Sequence, residues 1–256
     1  MRIILSILLI GVINLSNSVL FAQDIEERIA EMLNTMTLEE KVAQMFMVEI
    51  GSITPEEVNT YKVGAILNGG GSFPYKKKDH TVDDWVNLAD EYFIASVSNS
   101  KGSNIPIIWG TDAVHGHNNL KGATLFPHNI GLGATRNTKL IEEIGRVTAK
   151  QVLLTGLDLT FAPALSVPRD DRWGRTYEGF SEDPILVSEM GNAMMKGIQG
   201  DFDQVLSEDH ILATVKHFIG DGGTSRGVDK GNTIMDEDTL ISIHGSAYID
   251  AIDNDA

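Results

Sequence analysis

The stretch Pro106-Ile107-Ile108-Trp109-Gly110-Thr111-Asp112, PIIWGTD, decides the reading of the fold. It is a short apolar run bounded by proline on one side and polar residues on the other, the signature of a buried strand. It leads directly into Ala113-Val114-His115-Gly116-His117-Asn118-Asn119. The same grammar recurs along the chain. The strand-like run Val63 to Leu67 ends in Asn68-Gly69-Gly70-Gly71, Leu157 to Leu165 is followed by the polar segment Arg169 to Glu178, and Leu212 to Phe218 runs into Lys216 to Asp221.

Between these runs the apolar period is helical. Ile25, Ile29, Met32, Leu33 and Met36 fall on one face, and Thr37-Leu38-Glu39-Glu40 is a capping box opening a helix that carries Val42, Met45 and Phe46. Thr54-Pro55-Glu56-Glu57 repeats the box with proline at the first helical position. Further helices are expected near Val82 to Val97, from Thr138 to Leu154, from Pro184 to Gly200 and from Asp236.

Strands alternating with helices imply a parallel sheet with helical crossovers. An open doubly wound sheet gathers its site at one switch point. A (β/α)8 TIM barrel gathers it from loops at the C-terminal ends of all its strands. Polar and glycine clusters after several strands favour the barrel. Five or six of the eight strands are readable. The last helix carries Ile249 and Ile252 and shows no capping glycine before Ala256. Residues 23–256 therefore read as the N-terminal part of a barrel domain in something longer.

Residues 1–22 read as a secretory signal peptide: Arg2, an apolar core from Ile3 to Ile13, and a cleavage site after Ala22. The apolar run is short for a spanning anchor. A periplasmic or secreted address is expected, with no membrane contact after processing. The absence of cysteine fits that address without requiring it, and excludes disulfides and thiolate chemistry. A net charge of −16 argues against nucleic acid, whose phosphates need clustered Lys and Arg. Gly69-Gly70-Gly71 and Gly220-Asp221-Gly222-Gly223 lack the lysine and Ser/Thr of a nucleotide loop.

Three clusters can carry chemistry. Asp112, where a buried strand meets its loop, can accept from two hydroxyls of a sugar at once, or act as acid, base or metal ligand. His115 and His117 have the spacing of a metal pair but no third ligand in range, so no metal or other cofactor is assigned. In the second cluster, Arg169, Arg172 and Arg175 lie among Asp170, Asp171 and Glu178, which they can hold as bidentate pairs. Trp173 and Tyr177 offer flat faces. The third is Lys216-His217. Neighbours in a regular strand point to opposite faces. If both serve one site, alternation must fail there, through a strand end or a strained or cis peptide.

Met36 to Lys41 (MTLEEK), Gly110 to Gly116 (GTDAVHG), Phe126-Pro127-His128, Arg172 to Arg175 (RWGR), Tyr177 to Asp183 and Lys216 to Phe218 (KHF) resemble glycoside hydrolase family 3, in that family's order. Gly116 to Asn119 and Gly220 to Gly223 are most similar to its β-glucosidase and exo-β-glucan hydrolase branch. The resemblance implies a barrel followed by an α/β sandwich domain, and release of glucose from non-reducing ends of β-glucosides with retention. It implies that Asp112, Arg175, Lys216 and His217 hold the terminal sugar of a β-linked gluco-oligosaccharide. The runner-up within the family is its β-N-acetylhexosaminidase branch, with a β-xylosidase as a further alternative. The β-N-acetylhexosaminidase branch places proline and histidine where Ile219 and Asp221 stand, which argues against it. The family nucleophile, the aspartate of a Ser-Asp-Trp motif, is absent from these 256 residues, and Ser181-Glu182-Asp183 lacks the tryptophan. The nucleophile and acid/base are thus expected beyond residue 256, and the chain alone is expected to be inactive. A short protein that binds sugar without hydrolysis is the remaining reading.

Overall fold

The computed structural model describes residues 25–98, 103–201 and 206–254. The signal-peptide segment 1–22 lies outside the described residues. Among the described residues, five strands form one parallel sheet: β1 (Met47–Glu49), β2 (Ala65–Asn68), β3 (Ile108–Thr111), β4 (Leu159–Thr160) and β5 (Leu212–Ala213). Their spatial order is their chain order. Met47 pairs with Ala65, Ala65 with Ile108, Gly110 with Leu159, and Leu159 with Leu212. A doubly wound sheet would reverse direction at a switch point. This sheet does not, and its winding is that of a TIM barrel, of which it forms a part.

The helices follow from local chemistry. Thr37, Thr54 and Thr81 each form a capping box at the start of α2 (Leu38–Ala43), α3 (Pro55–Tyr61) and α4 (Val82–Val97), after an α1 that covers residues 25–35. Each box satisfies first-turn amides that would otherwise lack partners. Past β3 come α5 (Asn129–Ala134) and α6 (Thr138–Leu153). The helix α7 (Pro184–Gln199) follows β4. After β5, α8 (Glu237–Leu240) runs through a π-turn, Ile241–Gly245, into α9 (Ser246–Asp253). No helix among the described residues is long and apolar enough to cross a membrane.

Trp85, Ile66, Ile141, Leu157 and Ile198 are fully buried between sheet and helices. The α6–α7 contact is close: a Cβ on Gly197 would lie 2.0 Å from the Glu142 carbonyl oxygen. Only glycine permits that approach.

Two expectations are corrected. The helix opened at Thr37 ends at Ala43, and Met45 and Phe46 lie beyond it, 84% and 56% exposed. The Gln44 amide donates to the Lys62 carbonyl at 2.8 Å, and the chain turns to enter β1, a strand too short to show alternation. The second correction concerns the long runs Leu157–Leu165 and Leu212–Phe218, of which only two residues each are regular ladder. Pro163 has no amide hydrogen to donate. Around it the two segments stay adjacent outside the regular strands: Thr214 N donates to Ala162 O at 3.0 Å, Lys216 N to Pro163 O at 3.1 Å and Leu165 N to Lys216 O at 2.7 Å. The expected break at the third cluster is present, since the ladder has ended and the Lys216–His217 peptide is cis.

Candidate functional site

Because the strands are parallel, the loops after β2, β3, β4 and β5 emerge at one end of the sheet. Side chains bonded across the strands hold those ends together. The Asn68 amide donates to Thr111 Oγ1 at 2.9 Å, Trp109 Nε1 donates to Asn68 Oδ1 at 3.0 Å, and Thr160 Oγ1 donates to the Thr111 carbonyl at 3.1 Å. All four residues are buried.

Above this layer lies a cavity of about 280 Å3, near the lower end of ligand pockets, which run roughly 300–1,000 Å3. Gly70 enters it from the β2 loop, Asp112, His115 and Asn118 from the β3 loop, Arg175, Tyr177 and Glu178 from the β4 loop, and Lys216 and His217 from the β5 loop. The four residues expected to hold the sugar, Asp112, Arg175, Lys216 and His217, are thus brought to one cavity.

Lys216 Nζ donates to Asp112 Oδ1 at 2.8 Å. The Lys216 side chain is 13% exposed and Asp112's is 38%, so the carboxylate faces the opening and the ammonium supports it from below. Arg175 makes a two-pronged pair with Glu178, Nε to Oε1 at 2.9 Å and Nη2 to Oε2 at 2.7 Å. Such a fork fixes the guanidinium plane as well as its charge. It also pushes Arg175 still further up in pKa, against the opposing effect of burial. Both carboxylates lining the cavity are therefore engaged by cations. The array offers ammonium and guanidinium donors beside carboxylate acceptors, a set that matches adjacent hydroxyl groups.

The two histidines of the β3 loop have separate tasks. His115 Nδ1 donates to the Phe126 carbonyl at 2.9 Å, and its ring packs 4.3 Å from His128, which in turn meets Tyr177 at 4.5 Å. His117 is fully buried, with Nε2 3.1 Å from Thr155 Oγ1 and its ring against Trp85. Arg172 pairs with Asp170 at the surface, and the Arg169 guanidinium donates to the Glu182 carbonyl. Trp173 is buried and donates to Asp229 Oδ1 at 3.1 Å, so it is packing rather than a platform.

Sequence reasoning quoted His128, Asn118 and Asp221 within motifs but assigned neither them nor Asn129 to the site. Asp221 Oδ2 lies 2.8 Å from His217 Nδ1 and accepts from Ser166 Oγ at 3.1 Å. Burial pushes the Asp221 carboxyl up, but His217, Ser166 and Arg175 together outweigh it and hold it below the usual carboxylate range. The spacing of four between His217 and Asp221 was visible, but a four-residue spacing implies contact only on a helix, and this is a loop.

Comparison with known proteins assigns the chain. The family model "Glycosyl hydrolase family 3 N terminal domain" matches residues 37–256. The chain is 30% identical over 238 residues to the lysosomal beta glucosidase of Dictyostelium discoideum, covering 86% of this chain and 29% of that protein. It is 30% identical over 230 residues to the periplasmic beta-glucosidase of Salmonella typhimurium, covering 88% and 27%. The crystal structure of an exo-1,3/1,4-beta-glucanase from a Pseudoalteromonas species superposes with a TM-score of 0.86 at 50% identity, covering 91% of this chain and 29% of that one. The chain thus spans less than a third of the length of these relatives. With the family model matching 37–256 and the sheet winding as a partial barrel, the chain belongs to glycoside hydrolase family 3 and carries that family's N-terminal domain.

Proposed function

We propose that this chain is the sugar-holding part of a secreted, retaining, exo-acting β-glucosidase, one that releases glucose from the non-reducing ends of β-glucosides. The observation that carries the reading is the convergence of Asp112, Lys216, Arg175 and His217 from three different loops on one cavity at the strand ends. A terminal pyranose presents hydroxyls on adjacent carbons. Asp112 accepts from them, while Lys216 Nζ, with two hydrogens left after Asp112, and Arg175 donate. The names of the relatives, beta-glucosidases and an exo-beta-glucanase, support the same substrate class.

Retaining hydrolysis requires a nucleophile and an acid/base on carboxyl groups about 5 Å apart. Asp112 and Glu178 are each committed to a cation, and no Ser-Asp-Trp occurs in the sequence. Both catalytic carboxylates are accordingly assigned outside these 256 residues. Residues 1–22 are assigned as the signal peptide, and 23–256 as the barrel part of the secreted or periplasmic enzyme.

The test has two arms. The purified 256-residue chain is expected to leave an aryl β-glucoside intact and to bind glucose, with binding lost in Lys216→Met. The enzyme from the complete reading frame is expected to prefer glucosyl over xylosyl aryl substrates, and a panel of β-1,3-, β-1,4- and β-1,6-linked glucose disaccharides ranks the linkages. Turnover by the short chain, or a xylosyl preference, overturns the reading.

A further inference from the structure

His217 lies between two charged partners. On one side Arg175 Nη2 is 3.0 Å from its Nε2. A guanidinium has five donors and no acceptor, so the imidazole nitrogen must be the acceptor in this contact and carries no proton. A doubly protonated ring would set an N–H against the guanidinium. The ring proton is therefore on Nδ1, on the side where Asp221 Oδ2 stands 2.8 Å away. That contact is short but not aligned as a hydrogen bond, so Asp221 acts on the ring chiefly by its charge. Asp221 is itself fixed by the Ser166 hydroxyl, and Arg175 by its fork with Glu178. The four side chains form one line: Glu178, Arg175, His217, Asp221.

We infer that Asp221 is a positioning residue: it holds His217 as the neutral tautomer protonated at Nδ1, which keeps Nε2 free to accept from Arg175 and so aims the guanidinium into the cavity. The idea rests on the cavity being a sugar site. Asp221 has no place among the residues lining the cavity, and acts through His217 alone. The donors left for a sugar hydroxyl are Lys216 Nζ and the remaining hydrogens of Arg175, and His217 serves as the orienting acceptor of Arg175. An asparagine at 221 removes the charge that favours a proton on Nδ1, so the tautomer protonated at Nε2, which sets an N–H against Arg175, gains population. An Asp-to-Asn change beside a catalytic histidine is known to act in this way elsewhere.

The experiment is a long-range 1H–15N spectrum of the 15N-histidine-labelled chain, with His217 assigned by its loss in His217→Gln, and glucose titrations on the same samples. The expected wild-type result is a protonated-type Nδ1 and an unprotonated-type Nε2. Asp221→Asn is expected to shift the pair toward the opposite tautomer and to weaken glucose binding by about tenfold, the loss expected for one charge-assisted bond. Asp221→Glu is expected to restore the wild-type pattern. A wild-type ring protonated at Nε2, or an Asp221→Asn ring with unchanged nitrogen shifts, overturns the inference. If Asp221→Asn does not fold, the wild-type spectrum decides. Absence of glucose binding in the wild type would defeat the sugar reading instead, and the tautomer measurement then decides the role of Asp221 by itself.

Discussion

Acid should destabilise this protein through His117, and the size of the effect follows from its surroundings. Thr155 Oγ1 spends its hydrogen on the Val152 carbonyl at 2.6 Å, so it accepts from His117 Nε2. The ring is neutral and carries its proton there. Burial pushes His117 from 6.5 down to about 4, and nearby His80 acts in the same direction. Between those values the unfolded chain holds a proton that the folded chain refuses. Stability therefore rises with pH across that window and is lost on acidification. One decade of proton affinity is worth about 1.4 kcal/mol, so His117 withdraws about 2 kcal/mol by pH 5 and about 3 kcal/mol by pH 4. Urea midpoints of the wild type and His117→Gln, measured from pH 8 to 4.5, isolate the effect. Glutamine keeps a donor for Thr155 and does not titrate. His244, also pushed down by burial, contributes a slope common to both proteins. The wild type is expected to lose about 2 kcal/mol more than the variant between pH 7 and 5. Parallel profiles over that range would refute the assignment of a buried neutral ring.

Two further changes test the packing. Gly197→Ala drives a methyl into the Glu142 carbonyl of α6, and thermal unfolding should show a loss of roughly 1–3 kcal/mol or more; a neutral substitution would mean that the two helices separate freely. Tyr92 is buried, burial pushes its phenol up to about 12, and its hydroxyl donates to the Ile53 carbonyl at 2.7 Å. Tyr92→Phe should cost about 1–3 kcal/mol in urea because that carbonyl loses its donor, and an unchanged midpoint would show that water replaces it.

The parts of the fold legible in the sequence are those set by short-range chemistry. The capping boxes at Thr37 and Thr54, Pro184, and Asp236 start helices where expected, because a helix start is decided within about four residues. The loop clusters after the strands were legible too, since a parallel strand's C-terminal end is marked by the switch from apolar to polar. Several features were not. The strand β1 has three residues, too few for a period. The helix α5 contains Gly131 and Gly133, poor helix formers, and it is held by tertiary contact where Gly133 meets the Phe180 carbonyl. In the site, Asp112 and the Lys216-His217 pair were noticeable by their chemistry and position, whereas Arg175 was separated from Arg169 and Arg172 only by the family resemblance. Asp221 was not singled out, because its contact with His217 depends on the path of an irregular loop.

The buried line of Asn68, Thr111 and Thr160 has a mechanical meaning. Each of these side chains bonds to the neighbouring strand, so each measures where its neighbour ends. Sliding one strand by a single residue would turn its whole side-chain set to the other face and break these bonds together. The three residues therefore act as a levelling line, setting the strand tips at one common height. Long, irregular loops built on a levelled rim can bring side chains more than a hundred residues apart in sequence, Asp112 and Lys216, to the same point. The levelled rim is thus what lets loops from separate strands meet: it gives them one common starting height.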